Sequence, residues 1–167
     1  EVFTPSWICN KMNNHCDEEW FGRSGIFNIE LENGWKVTNS PVPFEHEGDW
    51  MKYIDSKRLE ITCGEAPYIV SRYDAATGEL IEIGKRIGIL DRKLRVVNEN
   101  TDNESDWFKW VLRAYQSVYG YEFQGDNLLI ARINLLVTFV DYMQDRWGRV
   151  PTDTELRKIA NVIVWNL

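Results

Sequence analysis

The sequence predicts an α/β domain of the doubly wound type, in which strands and helices alternate along the chain. Two short strand patterns each run into a turn, and helical patterns follow both of them. The predicted order is strand, turn, helix, insertion, helix, strand and helix, which is typical of that architecture. A length of 167 residues suits one domain with a buried core. In such domains, ligands bind at the carboxyl ends of the strands.

The first third of the chain predicts a helix, a hairpin and a second, shorter helix. Pro5 precedes and Gly22 follows the helical pattern of Ser6–Phe21, and both residue types are common at helix boundaries. An Asn-Gly pair at 33–34 lies between two short apolar runs and indicates a β-hairpin. Residues 49–54 place aromatic and aliphatic side chains on one side of a short helix.

The middle of the chain predicts a strand, a short helix and then a poorly regular segment. A strand over 58–63 leads into a glycine-containing turn, and a helix is expected over 66–73. Residues 80–97 predict irregular strand or loop divided by glycines, and 98–104 predict a polar linker. Tryptophan and aliphatic side chains at three- and four-residue spacing then predict a helix over 105–118.

The last third predicts one strand and two helices. A strand over 118–123 precedes a long helix that ends near Trp147 and is apolar enough over 128–140 to be nearly enclosed. Thr152 and Glu155 form a capping-box pair at the start of the final helix.

The charge balance argues against a nucleic-acid-binding surface spread over the whole chain. The net charge is −7, and overall acidity opposes the approach of DNA. The densest basic stretch contains Lys85, Arg86, Arg92, Lys93 and Arg95. A solvated hairpin is the favoured interpretation of this stretch, and a DNA-contacting patch is the alternative. If DNA is the substrate, most of its binding surface lies outside this chain.

The cysteines predict neither a disulfide framework nor a metal site. Cys9, Cys16 and Cys63 are an odd number without paired spacing. His15 and His46 complete only an irregular set of metal-ligand types. Reduced thiols, together with the lack of a signal-peptide pattern and of an apolar run of about 20 residues, indicate a cytoplasmic protein.

Three stretches contain residues suited to ligand binding. Gly64 follows the first strand and lets the backbone approach a ligand, while Glu60 at the strand end suits an ammonium or hydroxyl group. Glu122 ends the next strand, where a carboxylate can accept two hydrogen bonds from a ribose. Thr4 and Pro5 precede a helix and could clamp an anion. Each stretch also has an ordinary explanation: a strand-to-helix turn, a solvated acid and a helix N-terminus.

In their order, these stretches resemble the gamma-type adenine-N6 DNA methyltransferases of bacterial restriction–modification systems. Residues 1–5, Glu-Val-Phe-Thr-Pro, resemble the Phe-Thr-Pro segment that precedes the core of those enzymes. Residues 60–68 resemble their cofactor motif, Asp-Pro-Ala-Cys-Gly-Ser-Gly-Asn-Phe, and 119–123 with 128–135 resemble their ribose-binding strand and the helix after it. The three stretches together span most of the chain.

The resemblance implies a partial Rossmann-like class I methyltransferase fold, helix-rich, with a small β-hairpin insertion. It implies one domain over 1–167, shortened relative to the family and interrupted by an insertion over 77–103. A chain that opens at Glu1 without Met and stops at Leu167 inside an apolar helical pattern agrees with a segment of a longer protein.

The resemblance also implies S-adenosylmethionine as the cofactor and assigns roles to individual residues. Thr4 and its neighbouring backbone would hold the methionine carboxylate, and Glu60 would face the methionine amino group. Glu122 would bind the ribose hydroxyls, and Phe123 would pack against the adenine ring. The full set of implied cofactor contacts is Phe3, Thr4, Pro5, Glu60, Cys63, Gly64, Glu65, Ala66, Glu122 and Phe123.

Besides the insertion, the sequence departs from the family pattern in three ways. Ala66 stands where a second glycine is usual, and Glu60 and Glu122 replace the commoner aspartates. No Asn-Pro-Pro-aromatic motif, which would hold the flipped adenine, occurs in the sequence. We therefore assign no catalytic residue and do not expect this chain alone to methylate DNA. The implied partners are DNA, mainly through parts outside this chain, and a nuclease domain or subunit.

Two other functional classes are consistent with the sequence. A non-catalytic scaffold or DNA-specificity domain could retain the methyltransferase fold, and the altered glycine turn and long insertion favour it. A nucleotide-dependent oxidoreductase is a poorer alternative, because the glycine turn lacks the three-glycine fingerprint of such enzymes.

Overall fold

The computed structural model describes residues 3–167, so Glu1 and Val2 of the predicted Phe-Thr-Pro segment lie outside the described residues. The helices are α1 (Ser6–Phe21), α2 (Asp49–Asp55), α3 (Ile89–Asn100), α4 (Glu104–Gln116), α5 (Gly125–Trp147) and α6 (Asp153–Asn166). The strands are β1 (Asn28–Leu31), β2 (Gly34–Val37), β3 (Arg58–Ile61) and β4 (Val118–Tyr121). A short 3-10 turn, Ile83–Lys85, precedes α3.

The strands form two small sheets, and helices make up most of the ordered chain. β1 and β2 pair as an antiparallel hairpin, with Asn28 opposite Val37. β3 and β4 pair in parallel, with Arg58 opposite Val118 and Ile61 opposite Tyr121. The parallel pair places the ends of β3 and β4 side by side, as an α/β arrangement requires. The helix-rich α/β class is therefore confirmed.

Local sequence signals positioned most of the elements correctly. α1 ends at Gly22, which adopts the left-handed conformation expected of a helix-terminating glycine (φ 72°). β1 and β2 form a hairpin at the predicted place, although the two turn residues are Glu32 and Asn33 and Gly34 is the first residue of β2. Thr152 caps α6, because its hydroxyl oxygen accepts a hydrogen bond of 3.2 Å from the Glu155 N–H.

The predicted helix over 66–73 is wrong, since this segment forms a series of turns. Ala66 has a positive φ of 64°, which no right-handed helix contains. The carbonyls of Tyr68 and Ile69 accept hydrogen bonds from the N–H groups of Ile89 and Leu90 at the start of α3. These carbonyls therefore accept hydrogen bonds from the first N–H groups of α3 and not from N–H groups of a helix over 66–73.

The prediction of irregular strand or loop over 80–97 holds for 80–88, apart from the short 3-10 turn, and is wrong from Ile89 onwards, where α3 begins. Its β-branched residues and flanking glycines are typical of strands. Leu90, Leu94 and Val97 nevertheless recur at helical spacing and are fully buried. The 77–103 segment therefore contains a core helix, and the hairpin of this fold lies at 28–37 instead.

The basic stretch over 85–95 does not form the solvated hairpin that the sequence favoured, because most of it lies in α3. Arg92 and Lys93 lie on α3 and are buried. Arg92 forms an ion pair of 2.6 Å with Asp17 of α1. Lys93 donates hydrogen bonds to the Ile54 carbonyl at 2.8 Å and to the Ser117 hydroxyl at 2.6 Å. Both cations join elements inside the protein.

The core lies where α3, α4, α5 and α6 meet, and one part of α5 is outside it. Trp107, Phe139 and Met143 are almost wholly buried there. The prediction that 128–140 is nearly enclosed is wrong for its first half, because Leu129, Ile130 and Ile133 are exposed. Exposed apolar side chains also occur on the parallel strands and just beyond them. We call this second group the open sheet face; it consists of Leu59, Ile61, Tyr121 and Phe123.

Candidate cofactor site

The candidate site is a cavity of about 260 Å³ at the carboxyl ends of β3 and β4. The start of the described chain, the turn after β3 and the residues after β4 all contribute to it. Its lining residues are Phe3, Thr4, Glu60, Thr62, Cys63, Gly64, Glu65, Pro67, Tyr68, Ala75, Glu122, Gln124 and Asn127. Three segments that are far apart in sequence therefore meet around one cavity.

The turn after β3 has an unusual backbone. Thr62, Gly64 and Ala66 all have positive φ values, of 52°, 53° and 64°. Alternation of this kind turns successive backbone N–H groups towards one side, which is favourable for binding an oxygen atom. The Gly64 N–H donates to the Glu122 carboxylate at 2.7 Å. The Ala66 methyl group is fully buried and Ala66 is not a lining residue, so the methyl group does not narrow the cavity.

Glu60 combines burial with an unused hydrogen-bonding position. Its side chain lines the cavity, yet only 9% of the residue is exposed. Burial raises the pKa of the Glu60 carboxyl from 4.5 to about 8, and the backbone N–H groups of Tyr68 and Ile69 only partly oppose that rise. Its Oε2 atom has no hydrogen-bond partner in the described chain. A cationic donor entering the cavity would satisfy that oxygen.

Glu122 is held in place by backbone donors from two segments. Its Oε2 accepts from the Gly64 N–H at 2.7 Å, and its Oε1 accepts from the Gln124 N–H at 2.9 Å. These hydrogen bonds lower the pKa of the Glu122 carboxyl, so it remains ionised. Glu122 thus joins the turn after β3 to the end of β4, and its carboxylate reaches the cavity.

The start of α1 approaches the cavity through Thr4, but its first N–H groups are partly occupied. The Ser6 N–H donates to the Asp74 carboxylate at 2.8 Å. Asp74 also accepts from the backbone N–H groups of Ala76 and Thr77, each at 2.9 Å. Neither Thr4 nor Ser6 caps the helix through its side chain.

The lining carries negative charge and no positive side chain. Glu60, Glu65 and Glu122 contribute three carboxyl groups, and no lysine, arginine or histidine of residues 3–167 lines the cavity. Tyr73 donates a short hydrogen bond to Glu65, whose backbone carbonyl also accepts from Asn134 at 3.1 Å. A site of this kind favours a cationic ligand and disfavours phosphate groups.

The structure places most of the predicted site residues around the cavity and leaves three outside it. Pro5, Ala66 and Phe123 are not lining residues. Phe123 lies just beyond β4 with 92% of its surface exposed. Sequence reasoning missed the lining residues Thr62, Pro67, Tyr68, Ala75, Gln124 and Asn127. Thr62, Pro67 and Tyr68 had a usable signal, since all three lie within the 60–68 motif.

The thiols near the site are poorly reactive. Cys9 and Cys63 are free and buried, and burial raises the pKa of each thiol to about 12, with Glu60 adding to the rise. Across residues 3–167, no group of three or more histidine, cysteine or acidic side chains is arranged to hold a metal ion. Within the same range, no helix combines the length and apolarity needed to cross a membrane.

Comparison with known proteins returned no relatives: no family model, no curated protein and no solved structure matches this chain.

Proposed function

We propose that this chain is the S-adenosylmethionine-binding portion of a bacterial DNA adenine-N6 methyltransferase from a type II restriction–modification system. One observation supports this above the rest. The three stretches that resemble the family line one cavity at the ends of two parallel strands, where adenosine-binding folds hold their ligands.

The charge of the cavity favours this cofactor over a dinucleotide. S-adenosylmethionine has a sulfonium and an ammonium group, and the Glu65 and Glu122 carboxylates would attract both, while Glu60 with its raised pKa would offer a hydrogen-bond acceptor. A dinucleotide would bring a pyrophosphate against the Glu65 and Glu122 carboxylates without a cation to offset the repulsion. The oxidoreductase alternative is weakened for this reason.

Individual residues would then divide the binding work. Glu60, through its unpartnered Oε2, would accept from the methionine ammonium, and Thr4 with adjacent backbone would hold the carboxylate. Glu122 would accept from the ribose hydroxyls. A cavity of about 260 Å³ lies below the usual size for such ligands, about 300 Å³ and above. The adenine end would therefore extend outwards, towards the exposed ring of Phe123.

The cofactor would supply an activated methyl group, while this chain would supply binding and orientation. Transfer to DNA would require the missing Asn-Pro-Pro-aromatic motif and a DNA-binding surface from other parts of the protein. We assign no catalytic residue within this chain. A nuclease domain or subunit would complete the restriction–modification system, in the cytoplasm.

Isothermal titration calorimetry with S-adenosylmethionine tests the proposal. We expect saturable binding of S-adenosylmethionine, and weaker binding of S-adenosylhomocysteine because it lacks the sulfonium charge. Glu60→Gln and Glu122→Gln should each lower the affinity for S-adenosylmethionine at least about tenfold. Glu82→Gln is the matched control, since Glu82 is exposed and lies outside the cavity. Absence of both heat and thermal stabilisation at millimolar cofactor would refute cofactor binding.

A non-catalytic scaffold is the second candidate, and the open sheet face favours it. Leu59, Ile61 and Tyr121 are each more than half exposed, which is unusual for the apolar side chains of a parallel sheet. A scaffold would bind another protein or domain at this face without binding the cofactor. Absence of cofactor binding in the titration, together with loss of binding to a partner protein or domain in Ile61→Ser, would favour the scaffold.

A further inference from the structure

A second cavity, of about 140 Å³, is lined by three arginines, two of them on α3. It is enclosed by the hairpin, the 3-10 turn, α3 and α5. Its lining residues are Phe27, Asn28, Val37, Ile83, Gly84, Arg86, Asp91, Arg92, Arg95, Asn98, Tyr142 and Asp145. We propose that this cavity binds a small oxyanion, with phosphate or a phosphate monoester as the ligand class.

Two of the lining arginines have buried donors that nothing in the described chain satisfies. The side chains of Arg86 and Arg92 are 8% and 2% exposed. Arg86 Nη1 and Arg92 Nε lack a hydrogen-bond acceptor. A buried, unsatisfied donor on a charged group is costly, and an oxyanion supplies acceptors for two such donors at once.

Aromatic rings and other contacts hold the three guanidinium groups in position before a ligand arrives. The Phe27 ring centroid is 5.1 Å from Cζ of Arg92 and 5.8 Å from Cζ of Arg95. The Tyr142 ring centroid is 5.9 Å from Cζ of Arg86. Arg95 also donates to the Thr38 carbonyl at 2.8 Å. Because these groups are already ordered, binding would require little loss of side-chain freedom.

The lining has more positive than negative side chains. Three arginines line the cavity against Asp91 and Asp145. Asp91 already accepts from the Ser71 N–H at 2.8 Å and from the Tyr142 hydroxyl at 3.1 Å. The acids that pair with the arginines, Asp17, Glu99 and Asp141, are not lining residues. The Asn98 amide adds a donor, because its Oδ1 accepts from Trp107 Nε1 at 2.6 Å and its NH₂ group remains.

This cavity is distinct from the candidate cofactor site, since the two share no lining residue. They also differ in charge, because the lining of the first has carboxyl groups and no cationic side chain, whereas that of the second has three arginines against two aspartates. The oxyanion proposal therefore does not depend on cofactor binding.

Thermal unfolding of the whole chain in phosphate, against chloride at equal ionic strength, tests the proposal. At ten times the dissociation constant, linkage predicts a rise in melting temperature of roughly 3–6 °C for a protein of this size. Arg86→Lys keeps a charge to pair with Asp141 but removes Nη1, and should weaken phosphate binding about tenfold. Arg72→Lys is the matched control, because Arg72 also pairs with Asp141 and lies outside the cavity.

Nuclear magnetic resonance on the unmodified chain gives a second test that needs no variant to fold. As phosphate is added, the Nε–Hε resonance of Arg92 should shift with the same concentration dependence as the thermal stabilisation. The corresponding resonance of exposed Arg113 should not shift. Any one of three results would overturn the proposal. These are stabilisation by phosphate no greater than by chloride, an equal loss of phosphate affinity in Arg86→Lys and Arg72→Lys, or an Arg92 resonance that does not shift.

Discussion

Replacing Glu60 with glutamine should stabilise this protein increasingly as the pH rises from 5 to 7. The substitution keeps the shape of the side chain and removes its proton equilibrium. In the folded protein, burial raises the Glu60 pKa to about 8, whereas the unfolded chain has the ordinary value of 4.5. Between these values the folded state binds more protons than the unfolded state, so the stability of the natural sequence falls as the pH rises.

The size of the effect follows from the two pKa values. Each pH unit between them changes the free energy of unfolding by about 1.4 kcal/mol. The natural protein should therefore lose roughly 3 kcal/mol between pH 4.5 and pH 7, which Glu60→Gln does not lose. The variant's advantage should be below about 1 kcal/mol at pH 5 and about 3 kcal/mol at pH 7.

Urea denaturation at pH 5, 6 and 7 measures this difference in the free energy of unfolding. An unchanged slope (m-value) of the transition checks that unfolding stays two-state. Glu82→Gln is the control, because Glu82 is exposed and its loss should leave the pH profile unchanged. A constant difference between Glu60→Gln and the natural protein at all three pH values would refute the assignment of a raised pKa to Glu60.

Two glycine substitutions separate the energetic cost of a strained backbone from that of a steric clash. Gly84→Ala is the common control, because Gly84 has an ordinary φ and open space around a Cβ. Gly64→Ala should lower the free energy of unfolding by about 1–2 kcal/mol, since a φ of 53° is unfavourable for alanine although nothing would touch its Cβ. Gly88→Ala should cost about 3 kcal/mol or more, because its Cβ would lie 2.4 Å from the Ile69 carbonyl oxygen. Chemical denaturation of the three variants measures both, and a Gly88→Ala variant as stable as Gly84→Ala would contradict the close approach of α3 to the 66–71 turns.

Residues that act on their own neighbours along the chain made their elements predictable. Gly22 ends α1, the Asn-Gly pair at 33–34 lies where the hairpin reverses direction, and Thr152 with Glu155 begins α6. Each of these effects depends on backbone conformation or hydrogen bonds within a few residues, which a sequence displays directly. The order of the three stretches that resemble the methyltransferase motifs could be read from the sequence directly.

Only the tertiary structure decided the state of α3 and of the residues before it. Arg92 and Lys93 are charged, so their sequence predicts exposure, yet Asp17 and the Ile54 carbonyl provide partners from distant elements. Likewise, the segment that begins at Ala66 forms turns because its Tyr68 and Ile69 carbonyls accept hydrogen bonds from the start of α3. Partners that are far apart in sequence leave no local pattern.

The candidate site divides in the same way. The sequence by itself determined which residue types were available, namely carboxylates after two strands and a glycine between them. The tertiary structure decided that Glu60 is buried with one oxygen unpartnered, and that Glu122 is tied to the Gly64 N–H. It also left Phe123 outside the cavity. Burial and the approach of one segment to another depend on the whole packed chain, and these two quantities set the charge state and shape of the site.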